Sequence, residues 1–253
     1  MIVEANKKAA LITGGAKRIG KEIALSLASQ GYDIVISYNK SDFDAKNLAE
    51  KIIKNFSVKC EIFSCNLQDE KEAQDLIKFA IQKFPYLNLL INNASIFNKS
   101  KFLEENISKF KENLNIHLIS PLFLSKIFAQ HVINNKTVDA QIINMVDKNI
   151  VRFDTSYFYY LMSKKFLAEF TKMLSLELAP FIRVNAIAPG FILNSVNEEN
   201  PSLETQNLIK KIPLKKQGDV KNILETVQFL LSNNFVTGQI LFIDGGASLN
   251  HAG

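Results

Sequence analysis

Residues 8–20 have the sequence KAALITGGAKRIG, and this stretch decides the fold class. The apolar run from Lys8 to Thr13 predicts a buried parallel strand. Small residues then form a turn, and the helical spacing of apolar residues from Arg18 to Gln30 predicts a helix that Gly31 ends. The start of such a helix presents unpaired N–H groups and about half a positive charge, and small residues let a phosphate approach them.

The alternation of strand and helix continues along the chain. Further strands are predicted at 33–37, 58–63, 87–91, 140–146, 183–188 and 239–243, and further helices at 44–56, 69–84, 108–133, 156–178 and 219–231. We expect Pro121 to kink or break its helix, and residues 191–217 to be irregular apart from a short helix near 203–210. No linker interrupts the pattern. It predicts one α/β domain, residues 1–253, with a doubly wound parallel sheet of about seven strands and helices on both faces.

Tight turns between a strand and a helix also use glycine, so the turn at 13–20 is weak evidence by itself. Its place at the head of a series of βαβ units favours nucleotide binding. Arg18 stands where a dinucleotide turn commonly has glycine. It is either a surface arginine of the first helical turn or a guanidinium over the pyrophosphate with other donors facing the cleft, and we favour the second interpretation.

The composition is that of an ordinary globular protein, with 253 residues of which 47% are hydrophobic and 22% charged. It excludes a disordered chain, a fibrous repeat and a disulfide scaffold. The 30 basic and 25 acidic residues give a net charge of +5. Because the basic residues are scattered, a lysine-rich solvated surface is favoured over nucleic-acid binding. No apolar run approaches the roughly 18 residues of a membrane span, and residues 1–8 do not resemble a signal peptide, so we expect a cytoplasmic protein.

Cys60 and Cys65 fall on a predicted strand and on the loop after it. Their odd separation places them on opposite faces, so we expect free buried thiols rather than a disulfide. His117, His131 and His251 form no ligand pattern with the cysteines or with each other, and we predict no metal site.

The end of the second strand indicates which dinucleotide is bound. NAD sites place a carboxylate about 20 residues on to bond the ribose 2′-hydroxyl, whereas NADP sites avoid that charge and supply cations. Here the sequence is Tyr38-Asn39-Lys40-Ser41, and Asp42 and Asp44 suit the start of the next helix. The amide, ammonium and hydroxyl of residues 39–41 suit a 2′-phosphate, so we predict NADPH rather than NADH. The alternative for Lys40 is an exposed loop lysine.

Tyr160 and Lys164 are four residues apart on a predicted helix and therefore share a face. A free tyrosine has a pKa of about 10. We expect the nearby ammonium to stabilise the phenolate and lower the pKa of Tyr160, which makes it a better general acid at neutral pH. Such a pair also arises by chance, and Tyr157 and Tyr159 show that aromatic residues are common in this segment. The position after the fifth strand of a nucleotide-binding sheet favours a catalytic pair.

These motifs resemble the short-chain dehydrogenase/reductase family, and the resemblance extends from Ala9 to about Leu249. It is carried by the glycine turn and by Asn92-Asn93-Ala94, Asn115, Tyr160, Lys164, Pro189-Gly190 and Asp244-Gly245-Gly246. The resemblance implies a Rossmann fold, hydride transfer with a nicotinamide and a homotetramer. It implies that Tyr160 donates a proton, Lys164 lowers the tyrosine pKa and bonds the ribose, and Asn115 supports a proton-relay water. The implied cofactor-binding residues are Gly14, Lys17, Arg18, Ile19, Gly20, Asn39, Lys40, Ser41, Asn66, Leu67, Asn93, Ala94, Ser95, Tyr160, Lys164, Pro189 and Gly190.

Two departures from the family pattern point to a narrower group. Asp147 stands where the family usually has a catalytic serine, and Asn66 replaces an acidic residue near the adenine. With the glycine turn, Asn92-Asn-Ala-Ser-Ile-Phe97 and Asn144-Met-Val-Asp147, the chain resembles pteridine reductases and bacterial dihydromonapterin or dihydrofolate reductases. That resemblance implies a pterin stacked between the nicotinamide and Phe97, with Ser95 and Arg18 bonding the ring or the cofactor phosphates. Asp147 and Tyr160 would deliver the proton.

Other interpretations stay open at this point. Phe97 could be a core aromatic, and Asp147 could cap a helix or a turn. A generic carbonyl reductase such as a 3-oxoacyl reductase is the second functional hypothesis, and Asp147, Arg18 and Phe97 argue against it. A non-catalytic nucleotide-binding regulator is the third, against which Tyr160 and Lys164 are both present. We expect the segment Phe191 to Lys211 to cover the substrate.

Overall fold

A computed structural model describes residues 7–104, 106–193 and 203–250. The strands are β1 Lys8–Ile12, β2 Tyr32–Tyr38, β3 Cys60–Ser64, β4 Leu87–Asn92, β5 Ala140–Met145, β6 Ile182–Pro189, β7 Ile192–Leu193, β8 Gly218–Asp219 and β9 Ile240–Ile243. The helices are α1 Arg18–Ser29, α2 Asp42–Asn55, α3 Glu70–Lys83, α4 Ile107–Leu114, α5 Ser120–Asn135, α6 Phe158–Leu178, α7 Leu203–Lys211 and α8 Val220–Ser232.

The main sheet is parallel and doubly wound. Within the described residues its seven strands have the order β3-β2-β1-β4-β5-β6-β9. The order reverses between β1 and β4, and the carboxyl ends of these strands therefore flank the crevice where such sheets bind ligands. The predicted α/β fold class is confirmed.

Both faces of the sheet are buried because successive strand residues point to opposite sides. Ala9 and Leu11 of β1 pack into a core with helices α3 and α5, with Leu76 and Phe128 among its members. Ala10 and Ile12 pack on the other side with α1, α2 and α8. This two-sided burial explains why the strand sequences are continuous apolar runs rather than alternating ones.

The long helix predicted at 108–133 is interrupted. A π-helical turn, Asn115–Ile119, separates α4 from α5, and Pro121 lies in the first turn of α5. Proline has no N–H to donate to the preceding turn, and the hydrogen bonding changes just before it while the backbone dihedral angles stay helical. By length and hydropathy the whole segment Ile107–Asn135 could cross a membrane, but half of its apolar window is buried within this fold.

Two further differences from the predicted elements have local causes. Helix α6 begins at Phe158 and not at Ser156, because a β-bridge joins Ser100 to Tyr157 and uses the backbone groups there. The segment predicted to be irregular contains the predicted short helix as α7, and it also contains β7, which pairs in parallel with β8. Residues 194–202 of the predicted substrate-covering segment lie outside the described residues, as does His251.

Candidate active site

The glycine turn and the loop after β4 interlock at the switch point of the sheet. Gly14 has a φ of +60°, and a Cβ there would lie 2.9 Å from the Cα of Ala94. A Cβ on Gly20 would lie 2.6 Å from Asn93 Nδ2. Thr13 Oγ1 accepts hydrogen bonds from the backbone N–H groups of Asn93 at 2.9 Å and Ala94 at 3.0 Å. Only glycine fits these two contacts, and Thr13, which was not among the predicted site residues, holds the loop after β4 in place.

A cleft of about 430 Å³ opens above this switch point, a volume typical of small-molecule sites. Most of the predicted site residues line it: Gly14, Lys17, Arg18, Ile19, Gly20, Asn39, Asn66, Leu67, Asn93, Ala94, Ser95, Asp147, Tyr160, Lys164, Pro189 and Gly190. Cys65, Ile96, Ile116 and Met145 also line the cleft and were not predicted. Lys40, Ser41, Phe97 and Asn115 lie outside this lining.

The carboxylates beyond β2 are paired with cations. Asp42 and Asp44 lie in the first turn of α2, as predicted. Lys17 Nζ contacts Asp44 Oδ2 at 2.8 Å, and Asp42 pairs with Lys46 at 2.7 Å. Neither carboxylate is therefore directed as an unpaired charge at the strand tip, where a ribose 2′-substituent would lie. Lys40 is exposed and Ser41 immediately precedes α2.

Arg18 has a φ of +51°, in the left-handed region that arginine rarely adopts. It is exposed and lines the cleft. Backbone strain of this kind is concentrated at functional sites. The geometry is consistent with the interpretation that Arg18 serves the cleft and is not an ordinary first-turn surface residue.

Asp147 and Tyr160 form the central contact of the cleft. Tyr160 Oη donates to Asp147 Oδ2 at 2.8 Å. The other carboxyl oxygen, Oδ1, accepts from the backbone N–H of Asn149 at 2.7 Å and caps the 3₁₀ turn Lys148–Val151. The capping interpretation of Asp147 is therefore confirmed, since one oxygen fixes the turn; the other oxygen bonds the phenol, and the catalytic role of Asp147 stays a prediction.

The predicted effect of Lys164 on Tyr160 is wrong in this structure. Burial, together with the charge and hydrogen bond of Asp147, raises the pKa of Tyr160 above its ordinary value, and the Ser95 hydroxyl only partly offsets this. Lys164 Nζ donates instead to the carbonyl oxygen of Met145 at 2.7 Å. Burial lowers the pKa of the Lys164 ammonium to about 8, against the opposing effect of Asp147. A phenol beside a carboxyl is stabilised in its neutral form, and Tyr160 is accordingly a proton-bearing group.

Phe97 lies at the mouth of the site and not in the core. Its side chain is 57% exposed, which excludes the core-aromatic interpretation. Its ring stacks on Tyr157 at a centroid distance of 4.5 Å and meets the ring of Tyr160 edge-on at 4.8 Å. An aromatic surface of this kind can hold a flat ligand.

Asn115 and Asn66 make mainly local contacts. Asn115 Nδ2 donates to the carbonyl of Gln68 at 3.0 Å. In the part of the chain that the structure describes, its side chain forms no hydrogen bond with Tyr160 or Lys164. Asn66 Oδ1 accepts from the N–H of Gln68 at 3.2 Å. The catalytic role of Asn115 and the adenine contact of Asn66 stay predictions.

His117 is a second residue that the sequence analysis missed. It is buried in the π-helical turn, where Nδ1 lies 2.7 Å from Ser163 Oγ and Nε2 lies 3.0 Å from Ser95 Oγ. Spacing gave no indication of these contacts, because they join three segments that are distant in sequence.

Across residues 7–104, 106–193 and 203–250 there is no cluster of His, Cys, Asp or Glu that could hold a metal ion. Cys60 and Cys65 are free.

Crevices at the switch point of a doubly wound sheet bind dinucleotides, and the buried phenol of Tyr160 lines this one. The class so defined is the dinucleotide-dependent oxidoreductases. The chain belongs to the short-chain dehydrogenase/reductase family, since the family model described as Enoyl-(Acyl carrier protein) reductase matches residues 14–248.

Relatives of several activities are similar to the chain over its length. The 3-oxoacyl-[acyl-carrier-protein] reductase of Synechocystis sp. is 29% identical over 241 residues, which cover 94% of this chain and 95% of that protein. The FolM alternative dihydrofolate reductase 1 of Brucella canis, solved in complex with NADP, has a TM-score of 0.88 and 30% identity, covering 98% of this chain and 96% of that one. The acetoin dehydrogenase of Enterobacter cloacae also has a TM-score of 0.88, with 27% identity over 98% of each chain.

Proposed function

We propose that this oxidoreductase uses NADPH to reduce a pterin, converting a dihydropterin, dihydromonapterin or dihydrofolate to the tetrahydro form. The observation that carries the proposal is the 2.8 Å hydrogen bond from Tyr160 Oη to Asp147 Oδ2, with a carboxyl where the family usually has a serine. The structural similarity to FolM alternative dihydrofolate reductase 1 supports it.

NADPH is the cofactor. The turn fits a dinucleotide, because Gly14 and Gly20 leave room where any Cβ would meet the loop after β4, and the N-terminus of α1 offers backbone N–H groups to a pyrophosphate. Arg18 adds positive charge beside that turn, and the pairing of Asp44 with Lys17 and of Asp42 with Lys46 suits a 2′-phosphate. When bound, the cofactor supplies a hydride to the carbon of a C=N bond.

The acceptor chemistry of Asp147 favours a nitrogen-rich ring. A ketone oxygen needs hydrogen-bond donors, whereas a carboxylate has only acceptors. A pterin presents amino and ring N–H groups, which a carboxylate binds through charge-assisted hydrogen bonds. Asp147 is held for this task by the N–H of Asn149, which fixes one oxygen and orients the other.

Tyr160 holds the proton that the ring nitrogen requires. The raised pKa keeps the phenol neutral but makes it a weaker acid than a free tyrosine, so we infer that Asp147, which orients the O–H, and Tyr160 deliver the proton as a pair. Proton donors placed in this way contribute about 10²- to 10⁴-fold to a rate. Phe97, exposed beside Tyr160, provides a surface for the flat ring.

A 3-oxoacyl reductase is the second candidate. It is favoured by relatives of that activity, among them the Synechocystis protein at 29% identity over 94% of this chain. Against it, Asp147 stands where the family usually has a serine, and its carboxylate has no hydrogen-bond donor for a ketone oxygen. The homotetramer and the cytoplasmic location also stay predictions.

The test is a substrate panel scored by loss of NADPH absorbance, with NADH as control. It contains a dihydropterin, dihydrofolate, a 3-oxoacyl thioester and a simple ketone. We expect turnover of a pterin or folate, and a fall of about 10²-fold or more in Tyr160→Phe and Asp147→Ala. Asp154→Ser is the matched control, because Asp154 also caps a backbone N–H, that of Ser156 at 2.8 Å, but does not line the cleft.

Asp147→Ser separates the two candidates, because it restores the serine of the family. We expect this variant to lose pterin turnover and to gain turnover of the ketone or thioester. Full pterin activity in Asp147→Ala would contradict the pterin assignment. Wild-type turnover of the 3-oxoacyl thioester without any turnover of pterin or folate would establish the second candidate.

A further inference from the structure

His117 is a buried titratable residue that the proposed chemistry leaves unused. Its side chain is 1% exposed, and its ring stands nearly perpendicular to that of Tyr160 at a centroid distance of 5.5 Å. Nδ1 lies 2.7 Å from Ser163 Oγ on α6. Nε2 lies 3.0 Å from Ser95 Oγ and 3.3 Å from the backbone nitrogen of Ile96. The ring therefore bridges the loop after β4 and the helix that bears Tyr160.

The neighbouring groups determine which ring nitrogen has the proton. Ser163 Oγ donates to the carbonyl of Tyr160 at 2.7 Å, so it accepts from His117, and Nδ1 must be protonated. The N–H of Ile96 can only donate, so Nε2 must accept. The contacts at Nδ1 and at Nε2 therefore require the same neutral tautomer, which is protonated at Nδ1 only. Because the chain of hydrogen bonds beyond Nδ1 ends at a backbone carbonyl, it cannot conduct a proton out of the site.

We propose that His117 is a positioning residue, which docks the Ser95–Ile96 loop onto α6 through Nε2 and thereby holds the Ser95 hydroxyl beside the phenol of Tyr160. The proposal rests on proton donation by Tyr160 in the proposed reductase, and it holds for either candidate substrate. Ser95 lines the cleft, and the hydrogen bond of its hydroxyl with Tyr160 acts to lower the tyrosine pKa against the larger effects of burial and Asp147. Burial and the charge of Lys164 keep the pKa of His117 well below its ordinary value, and the neutral acceptor is thereby maintained.

The cofactor side of the same loop is held separately. Thr13 Oγ1 accepts from the backbone of Asn93 and Ala94, and this contact does not involve His117. Loss of the His117 contact should therefore disturb Ser95 and the proton donor more than it disturbs dinucleotide binding. A fall in kcat that exceeds the loss of NADPH affinity would therefore distinguish a positioning role of His117 from general loosening of the fold.

Two amide substitutions of His117 test the contributions of Nε2 and Nδ1 separately. The side chain of His117→Gln can place an acceptor oxygen near the Nε2 position, whereas that of His117→Asn can reach only the Nδ1 position. We expect His117→Gln to keep kcat within about twofold of wild type, and His117→Asn to lower it about 3- to 10-fold, the range set by one hydrogen bond. The dissociation constant for NADPH should change less than about twofold in both. The matched controls are His131→Gln and His131→Asn, because His131 bonds the carbonyl of Pro85 on the outer side of α5.

Equal losses of kcat in the two His117 variants, or a larger effect on NADPH affinity than on kcat, would overturn the proposal in favour of a purely structural role. If the variants do not fold, Ser95→Ala takes their place, because Ser95 is exposed. The proposal then expects a fall in kcat, and an unchanged kcat would refute it.

A measurement without substrate separates this proposal from the function itself. Nitrogen NMR of wild-type protein containing isotope-labelled histidine should show His117 protonated at Nδ1 and unprotonated at Nε2. A proton at Nε2 would overturn the docking contact whatever the enzyme reduces. Failure of every substrate in the panel, with the expected tautomer present, would instead refute the proposed function.

Discussion

Arg18 adopts an unfavourable backbone conformation at a position that lines the cleft. A left-handed conformation costs an L-residue roughly 1–2 kcal/mol, and Arg18 adopts it with a φ of +51° at the start of α1. Glycine would fit this φ without a Cβ clash. The guanidinium lines the cleft beside the glycine turn, where it can bond a pyrophosphate with several donors. We infer that ligand binding, and not packing, compensates for this conformational cost.

We predict that Arg18→Gly increases the free energy of unfolding and weakens NADPH binding. Relief of strain, reduced by the greater chain entropy of glycine, should stabilise the protein by about 0.5–1 kcal/mol. Loss of a charge-assisted hydrogen bond should raise the NADPH dissociation constant about tenfold or more. Urea denaturation and fluorescence titration measure the two quantities. Lys136→Gly is the control, because Lys136 also has a φ of +51° but ends α5, and it should gain stability with unchanged affinity.

Most of the predicted site residues line the cleft, whereas the pKa of Tyr160 could not be predicted from sequence. Helical spacing placed Tyr160 and Lys164 on one face, and the structure has both lining one cleft. The pKa of Tyr160 depends on burial and on Asp147, thirteen positions earlier in the chain, and neither is visible in the spacing. His117 was missed for the same reason, since its partners Ser95 and Ser163 come from separate elements.

At the scale of elements, strands and helices follow from local patterns, and their interruptions follow from contacts between them. An irregularity in the helix near Pro121 was predictable because proline lacks an N–H. The π-helical form of the turn was not, because it turns Asn115 towards Gln68 and His117 towards Ser163. Likewise the start of α6 is set by the bridge from Ser100 to Tyr157, a pairing across distant residues.

The contact between β1 and the loop after β4 predicts a strong effect of Thr13→Val. Valine keeps the shape of threonine but removes the oxygen that accepts from the N–H groups of Asn93 and Ala94, although the Asn93 N–H keeps its 3.1 Å contact with the carbonyl of Ile91. At about 1 kcal/mol for a lost hydrogen bond, we expect about 1–2 kcal/mol of destabilisation by urea denaturation, with weaker NADPH binding. Thr226→Val is the control, because Thr226 Oγ1 donates only to Asn222 O within α8. Equal losses of unfolding free energy in the two variants would mean that the hydrogen bonds accepted by Thr13 stabilise the protein no more than one within a helix does.

At the scale of the whole molecule, buried titratable groups make stability depend on pH in two opposing ways. Burial lowers the pKa of Lys164 from 10.5 to about 8, so the unfolded chain binds more protons than the folded one between these values. Stability contributed by Lys164 therefore rises with pH in that range. Burial raises the pKa of Cys60 and Cys65 from 9.0 to about 12. The folded chain then binds more protons above 9, and their contribution falls as pH rises.

These opposing contributions predict the behaviour of Lys164→Met. Because the substitution removes only the rising contribution, wild type should gain about 1 kcal/mol relative to the variant between about pH 7 and about pH 9. Urea denaturation of both proteins across this range measures the difference. The difference in unfolding free energy between the two proteins also includes the lost hydrogen bond to Met145. The change of this difference with pH is therefore the relevant quantity. A gap independent of pH would mean that the Lys164 ammonium stays fully protonated in the folded protein, and that its burial is offset by Asp147 more completely than the structure indicates.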